Sequence, residues 1–147
     1  MGARSSGREA ALQILFAIEA AGAPIGEAIR NFWREFPGDA EGKSYAEEVV
    51  RGVSADRPAV DEQVTRASDH WRLERMTRVD RNVLRIGAWE LMRRPDVPRA
   101  VILDEAVELA KRFGTEESGA FVNGVLARVA DDTGRLLENE RPKDADR

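Results

Sequence analysis

The sequence predicts an all-α fold of about seven helices in two packed sub-bundles. Three observations predict it. Apolar residues recur at three- and four-residue spacing wherever they are regular, no long alternating stretch reads as a half-buried strand, and glycine and proline separate the periodic segments by short connections. Each amphipathic helix buries about one stripe, so several must surround each core. With 147 residues the chain has the length of one domain, and burial of about 68–70% of its unfolded surface allows a real core.

Ala10, Ile14, Ala17 and Ala21 share one face of a first helix, which Gly22 and Pro24 stop. Ile25, Ile29, Phe32, Trp33 and Phe36 give a short second helix closed by Pro37 and Gly38, and Gly38 to Gly42 reads as a loop. Ala46, Val49, Val50 and Val53 form the stripe of a third, ending near Asp56 because Pro58 disfavours helix at Arg57. Pro58 suits the first turn of a fourth, whose stripe Val60, Val64, Ala67 and Trp71 continues at helical spacing. From about Arg78 to Arg93 two interleaved stripes, Val79, Val83, Ile86 and Leu84, Ala88, Leu91, predict a widely buried helix. Pro95 and Pro98 bracket a tight connection to Ile102, Ala106, Leu109, Ala110 and Phe113, a stripe that stops at Gly114. Thr115 suits the N-cap of the last helix, with Glu116 and Glu117 in its first turn and Val122, Val125, Leu126 and Val129 on its apolar face. Residues 1–137 read as a single domain and 138–147 as a charged, flexible tail, with the seam between sub-bundles near Asp56–Pro58 or Trp71–Met76.

Composition argues against an enzyme. The chain has no cysteine and one histidine, His70. Disulfide frameworks, thiolate nucleophiles, Ser-His-Asp triads and His-pair metal sites all lack parts, and a reducing, cytoplasmic setting is expected. His70, beside Trp71, reads as a surface or packing residue. Asp104 and Glu108 lie one turn apart, but without histidine partners they read as solvated or capping groups, so neither a metal nor a cofactor is expected. Gly119 and Gly124 follow no strand and precede no Gly-Lys-Ser/Thr, so no phosphate cradle is expected. The early apolar stretch Ala10 to Ala23 is broken by Gln13 and Glu19, too polar for a signal-peptide core and too short to span a bilayer, so no membrane association is expected.

The net charge of −4 disfavours a self-sufficient nucleic-acid binder. The charge is unevenly spread, however. From Arg72 to Arg99 eight arginines face four acids, a local balance of +4 that leaves −8 for the remainder. Arg78, Arg81 and Arg85 follow i, i+3, i+7 spacing and predict one exposed ridge, suited to phosphates, to an acidic partner, or simply to solvation. Arg4 and Arg8 flank Ser5, Ser6 and Gly7, which reads as a mobile, mildly basic arm entering the first helix.

Several segments carry a resemblance in order and spacing: Arg8–Phe16, Val79–Ile86, Trp89–Leu91, Asp96–Pro98, Asp104–Gly114 and Phe121–Leu126. Together they resemble the NusB family of bacterial transcription antitermination factors over roughly Arg8 to Val129. The resemblance implies a helical, non-catalytic protein that pairs with the small ribosomal protein NusE. The pair would bind the boxA element of nascent ribosomal-RNA leaders and help load an antitermination complex on RNA polymerase. It further implies that Arg4 and Arg8 contact the RNA backbone, that Gln13 bonds a base edge and that Phe16 and Phe121 offer stacking faces, core packing being the alternative for both rings. Glu117 falls where an acid lies near RNA and partner, helix capping being its alternative, and Glu74 and Asp80 match positions on the surface that meets basic NusE. The arginine cluster before the first helix is sparser here than is usual in the family, so tight boxA binding is expected to require NusE. NusB-like bundles also occur as the RNA-binding part of an RNA-cytosine methyltransferase, and this chain is expected to be a freestanding factor. Family members can self-associate, and the alternative reading is a homodimeric helical scaffold without an RNA role, with apolar exposure around Ile18, Phe32 or Trp33.

Overall fold

The computed structural model describes residues 2–69 and 71–135. The tail expected at 138–147 and His70 lie outside the described residues. Among the described residues seven α-helices follow one another: α1 Ala3–Ala21, α2 Ile25–Glu35, α3 Ala40–Ala55, α4 Arg57–Ala67, α5 Arg78–Arg93, α6 Arg99–Phe113 and α7 Ser118–Asp132. A 3-10 turn, Leu73–Arg75, leads into α5.

Helices α1, α2 and α3 pack together as one sub-bundle and α4, α5, α6 and α7 as the other, with the seam at the α3–α4 junction around Asp56. Helix α5 joins them, since it also packs against α1 and α3. That position explains its two interleaved stripes: Val83, Leu84, Ile86, Ala88 and Leu91 are all buried, and helix neighbours lie on most of its circumference. Thr77 caps it by accepting from the Asp80 amide at 3.1 Å, and Asp39 caps α3 in the same way from Gly42 at 2.7 Å. The Asp39 cap starts α3 at Ala40, so the expected Gly38–Gly42 loop is cut short.

Two close approaches rest on glycine. A Cβ on Gly52 of α3 would lie 2.3 Å from the Trp89 ring of α5, and one on Gly7 of α1 would lie 3.0 Å from the Gly42 carbonyl oxygen and from Tyr45 Cβ of α3. Gly7 is thus a packing residue. The expected mobile arm is instead the first turns of α1, helical from Ala3, because the missing side chain lets α1 approach α3 closely.

The described helices include none long and apolar enough to cross a membrane. Helix α4 ends at Ala67 rather than continuing to Trp71. Ser68 turns its hydroxyl onto the Thr65 carbonyl at 3.2 Å and Asp69 adopts a left-handed conformation with φ 56°, so the chain leaves the helix and Trp71 is exposed.

Candidate nucleic-acid interface

Helices α1 and α5 run antiparallel and are tied together by charge at both ends. At one end Arg8, buried in the first turns of α1, donates from Nε to Glu90 Oε1 at 2.8 Å and from Nη2 to Glu90 Oε2 at 2.9 Å. The Tyr45 hydroxyl donates to Glu90 Oε2 at 2.7 Å, and Arg8 Nη1 lies 3.3 Å from Glu105. Burial by itself would lower the Arg8 pKa, but the hydrogen bonds and charge of Glu90 outweigh it and leave the guanidinium more firmly protonated than usual. At the other end Glu19 of α1 accepts from Arg81 and Arg85, the latter at 3.0 Å, and from the Asn82 amide at 3.2 Å.

These pairings correct two expectations. The ridge predicted at Arg78, Arg81 and Arg85 is not exposed along its length. Arg85 is buried between Glu19 and Asp61, at 2.8 Å from the latter, and Arg81 donates to the Leu73 and Met76 carbonyls at 2.8 and 2.9 Å. Of the three, Arg78 is exposed and Arg81 is largely covered. Arg8 is likewise withdrawn from the surface on which an RNA-backbone contact needs it, at 2% exposure, because Glu90 and Glu105 engage its guanidinium from within.

Between the tied ends, the open face of α1 contributes to a cleft of about 390 Å³ lined by Leu12, Gln13, Phe16, Val79 and Phe113. Gln13 and Phe16 sit one helical turn apart, so α1 presents an amide and a ring side by side. A second cleft, of about 340 Å³, is lined by Trp71, Arg75, Met76, Thr77, Asp80, Glu117 and Phe121. Adjacent residues of α5, Val79 and Asp80, belong to different clefts, and Phe113 and Glu117 bracket the α6–α7 turn in the same way. The clefts therefore flank the first turn of α5. Of the residues singled out from sequence, Gln13 and Phe16 come together in one cleft and Asp80, Glu117 and Phe121 in the other.

Arg4 and Glu74 stand apart. Arg4 lies about 13 Å along α1 from Gln13 and half a turn around it, with Nη2 at 3.2 Å from Asp96. Glu74 is exposed on the 3-10 turn, 3.9 Å from Arg72. Glu117 sits at the N-cap position of α7 without capping it, accepting instead from the Thr115 hydroxyl at 3.1 Å, while Ser118 Oγ takes the Thr115 amide at 2.9 Å. Asp80 Oδ1 is buried and has no hydrogen-bond partner among the described residues.

Three further lining residues that bring a ring or a charge were not singled out from sequence. Trp71 and Phe113 are 56% and 37% exposed, though both fall on apolar stripes. The signals were local: Ser68 and Asp69 end α4 before Trp71, and Phe113 is the last residue before Gly114, where a stripe runs out of helix. Arg75 is the third: it belongs to the basic segment Arg72 to Arg99, but spacing did not single it out within that segment.

Residues 5–131 match the model of the NusB family. The chain belongs to the NusB family. Transcription antitermination protein NusB of Sorangium cellulosum is 70% identical over 136 residues, covering 92% of this chain and 97% of that protein. The NusB protein of Myxococcus xanthus is 51% identical over 134 residues, covering 88% and 96%. Among solved structures, NusB of T. maritima superposes with a TM-score of 0.81 at 36% identity over 88% of this chain and 91% of that one. A crystal structure of antitermination factors NusB and NusE in complex with dsRNA gives a TM-score of 0.82 at 25% identity over 90% and 98%. The NusB fold, all-α with two sub-bundles, is thereby the fold of this chain.

Proposed function

We propose that this chain is a non-catalytic, cytoplasmic transcription antitermination factor that binds boxA RNA of nascent ribosomal-RNA transcripts together with NusE. In that role residues 1–137 act as one RNA-binding domain and help assemble an antitermination complex on RNA polymerase. The observation that carries the reading is the pair of clefts beside the first turn of α5, where ring faces from Phe16 and Phe121 stand next to polar groups from Gln13 and Glu117. Single-stranded RNA is bound by stacking splayed bases on aromatic rings and by hydrogen bonds to their edges. Relatives of this family and the NusB–NusE–RNA complex support the same assignment.

Asp80 supports the partner side. Its carboxylate lines the Phe121 cleft at the start of α5, and Glu74 adds exposed negative charge at the adjoining 3-10 turn, a pairing suited to a basic protein such as NusE. Arg4 then serves the RNA backbone at the flank of the interface, and Arg8 sets the position of α1 through Glu90. Because most arginines of the chain's basic segment are paired internally, RNA affinity is shared with NusE. Anisotropy titration of labelled boxA RNA tests this: affinity should rise steeply when NusE is added and fall steeply with salt, and equal affinity with and without NusE would refute the shared interface.

The homodimeric scaffold draws on a different groove. Gln13, Ala17, Ala28, Phe32 and Phe36 line a cleft of about 300 Å³ between α1 and α2, with Phe36 half exposed. Ile18, Phe32 and Trp33, the residues expected to be exposed, instead pack partly buried against the core. Because self-association fits both readings, sedimentation is paired with the boxA titration: a chain that sediments as a dimer through Phe36 and binds no boxA RNA with NusE would favour the scaffold.

A further inference from the structure

We propose that Arg75 and Arg78 form a phosphate-binding ridge between the two aromatic clefts, with Arg78 resting on Phe16 so that one nucleotide is held by ring and guanidinium together. The inference rests on the RNA-binding reading and assigns which part of the basic segment serves it.

Elimination among the eight arginines from Arg72 to Arg99 leads there. Arg81 and Arg85 are tied to Glu19, Asp61 and backbone carbonyls. Arg93 pairs with Asp56 at 3.1 Å, Arg94 with Glu48 and Asp96, and Arg99 with Asp131 at 2.9 Å and the Arg135 carbonyl at 2.8 Å. Arg72 meets Glu74 at 3.9 Å and lines neither cleft.

Arg75 and Arg78 remain. Arg75 is exposed, makes no ion pair with the described residues, and lines the cleft of Phe121 and Glu117. Arg78 opens α5 and places its Cζ 5.2 Å from the centroid of the Phe16 ring, in the other cleft. Its Nε lies 3.4 Å from Glu19, a carboxylate that Arg81 and Arg85 already neutralise. The Nη groups of Arg78 keep their donors, and a guanidinium offers five N–H bonds in a planar fork suited to phosphate. Two residues, Met76 and Thr77, separate the two arginines, so their backbones are at most about 11 Å apart. A strand running from one cleft to the other would thus cross both cations while its bases face rings on either side. An acidic protein would use the charges but has no need of four exposed or half-exposed rings, Phe16, Phe113, Trp71 and Phe121, beside them.

The test measures binding of labelled boxA RNA to the full chain with NusE across a salt series, beside calorimetry of NusE binding alone. Arg75→Gln with Arg78→Gln should weaken RNA binding about 10- to 30-fold at 0.1 M salt and flatten the log–log salt slope by about 1.4, the loss of two single-strand phosphate contacts. Arg78→Lys should keep the slope, Arg66→Gln on α4 should change nothing, and thermal unfolding should show all variants folded. Unchanged affinity and slope in the double variant, with the wild-type chain binding RNA, would overturn the ridge and leave the RNA reading standing. Weakened NusE binding with an intact RNA slope would reassign it to protein contact and overturn the proposal, as would an Arg78→Lys variant that loses the slope. A wild-type chain that binds no boxA RNA even with NusE would overturn both readings.

Discussion

Arg8 and Glu90 meet in a paired two-bond contact, at 2.8 and 2.9 Å, with both side chains essentially out of solvent. Removing one member leaves the other charge buried without its partner. Arg8→Ala or Glu90→Ala should each destabilise the fold by about 3–5 kcal/mol in urea unfolding, whereas the joint apolar replacement Arg8→Met with Glu90→Leu should recover most of that loss. Equal losses in single and joint variants would show that the pair acts through packing and not charge.

Tyr45 carries a dependence on alkaline pH. Burial, then the charge and hydrogen bond of Glu90, hold its phenol above the ordinary tyrosine range. A folded pKa raised above the unfolded one contributes stability that is fully present below about pH 10 and is lost as pH rises toward the folded value. As Tyr45 is the sole tyrosine, phenolate absorbance reports on it alone. Between about pH 9 and pH 11 the folded protein should show little phenolate, and its unfolding midpoint should fall more steeply than that of Tyr45→Phe.

Gly52→Ala sets two effects against each other. Alanine favours a helix interior by about 1 kcal/mol, but its Cβ would fall 2.3 Å from the Trp89 ring. Overpacking should win, with a net loss of about 1–3 kcal/mol in denaturant unfolding. A gain in stability would show that α3 and α5 separate without cost.

Stacking predicts a different pattern of losses. Phe16→Ala and Phe121→Ala should each weaken boxA binding in the presence of NusE by about 1–3 kcal/mol, while Phe36→Ala, in the α1–α2 groove, should leave it unchanged. Anisotropy titrations read these directly, and losses from all three alike would point to a general effect on the fold.

Helix α5 was legible from sequence to its terminal residues, since two apolar stripes span Arg78 to Arg93 and Pro95 follows them. Its arginines were not. Spacing put Arg78, Arg81 and Arg85 on one ridge, yet the partner that draws two of them inward, Glu19, lies more than sixty residues away on α1. No local pattern carries that information. The start of α1 misled for a related reason: Ser5, Ser6 and Gly7 have the composition of a flexible arm, but Gly7 is where α1 closes on α3. Trp71 misled because periodicity was extended across Ser68 and Asp69, which end α4. Gln13, Phe16, Glu117 and Phe121 were singled out by resemblance, and only three-dimensional packing sorts them into two clefts and separates them from Arg4.

The ties between α1 and α5, Arg8 to Glu90 near one end and Glu19 to Arg81 and Arg85 near the other, enclose the stretch that carries Gln13 and Phe16. Amide protons in that stretch should therefore exchange with solvent deuterium only through openings that break both ties at once, at rates set by global unfolding. The surface offered to a nucleic acid is then already ordered before contact. Little helix-forming entropy is left for association to overcome, and a ligand there should slow exchange across both sub-bundles together.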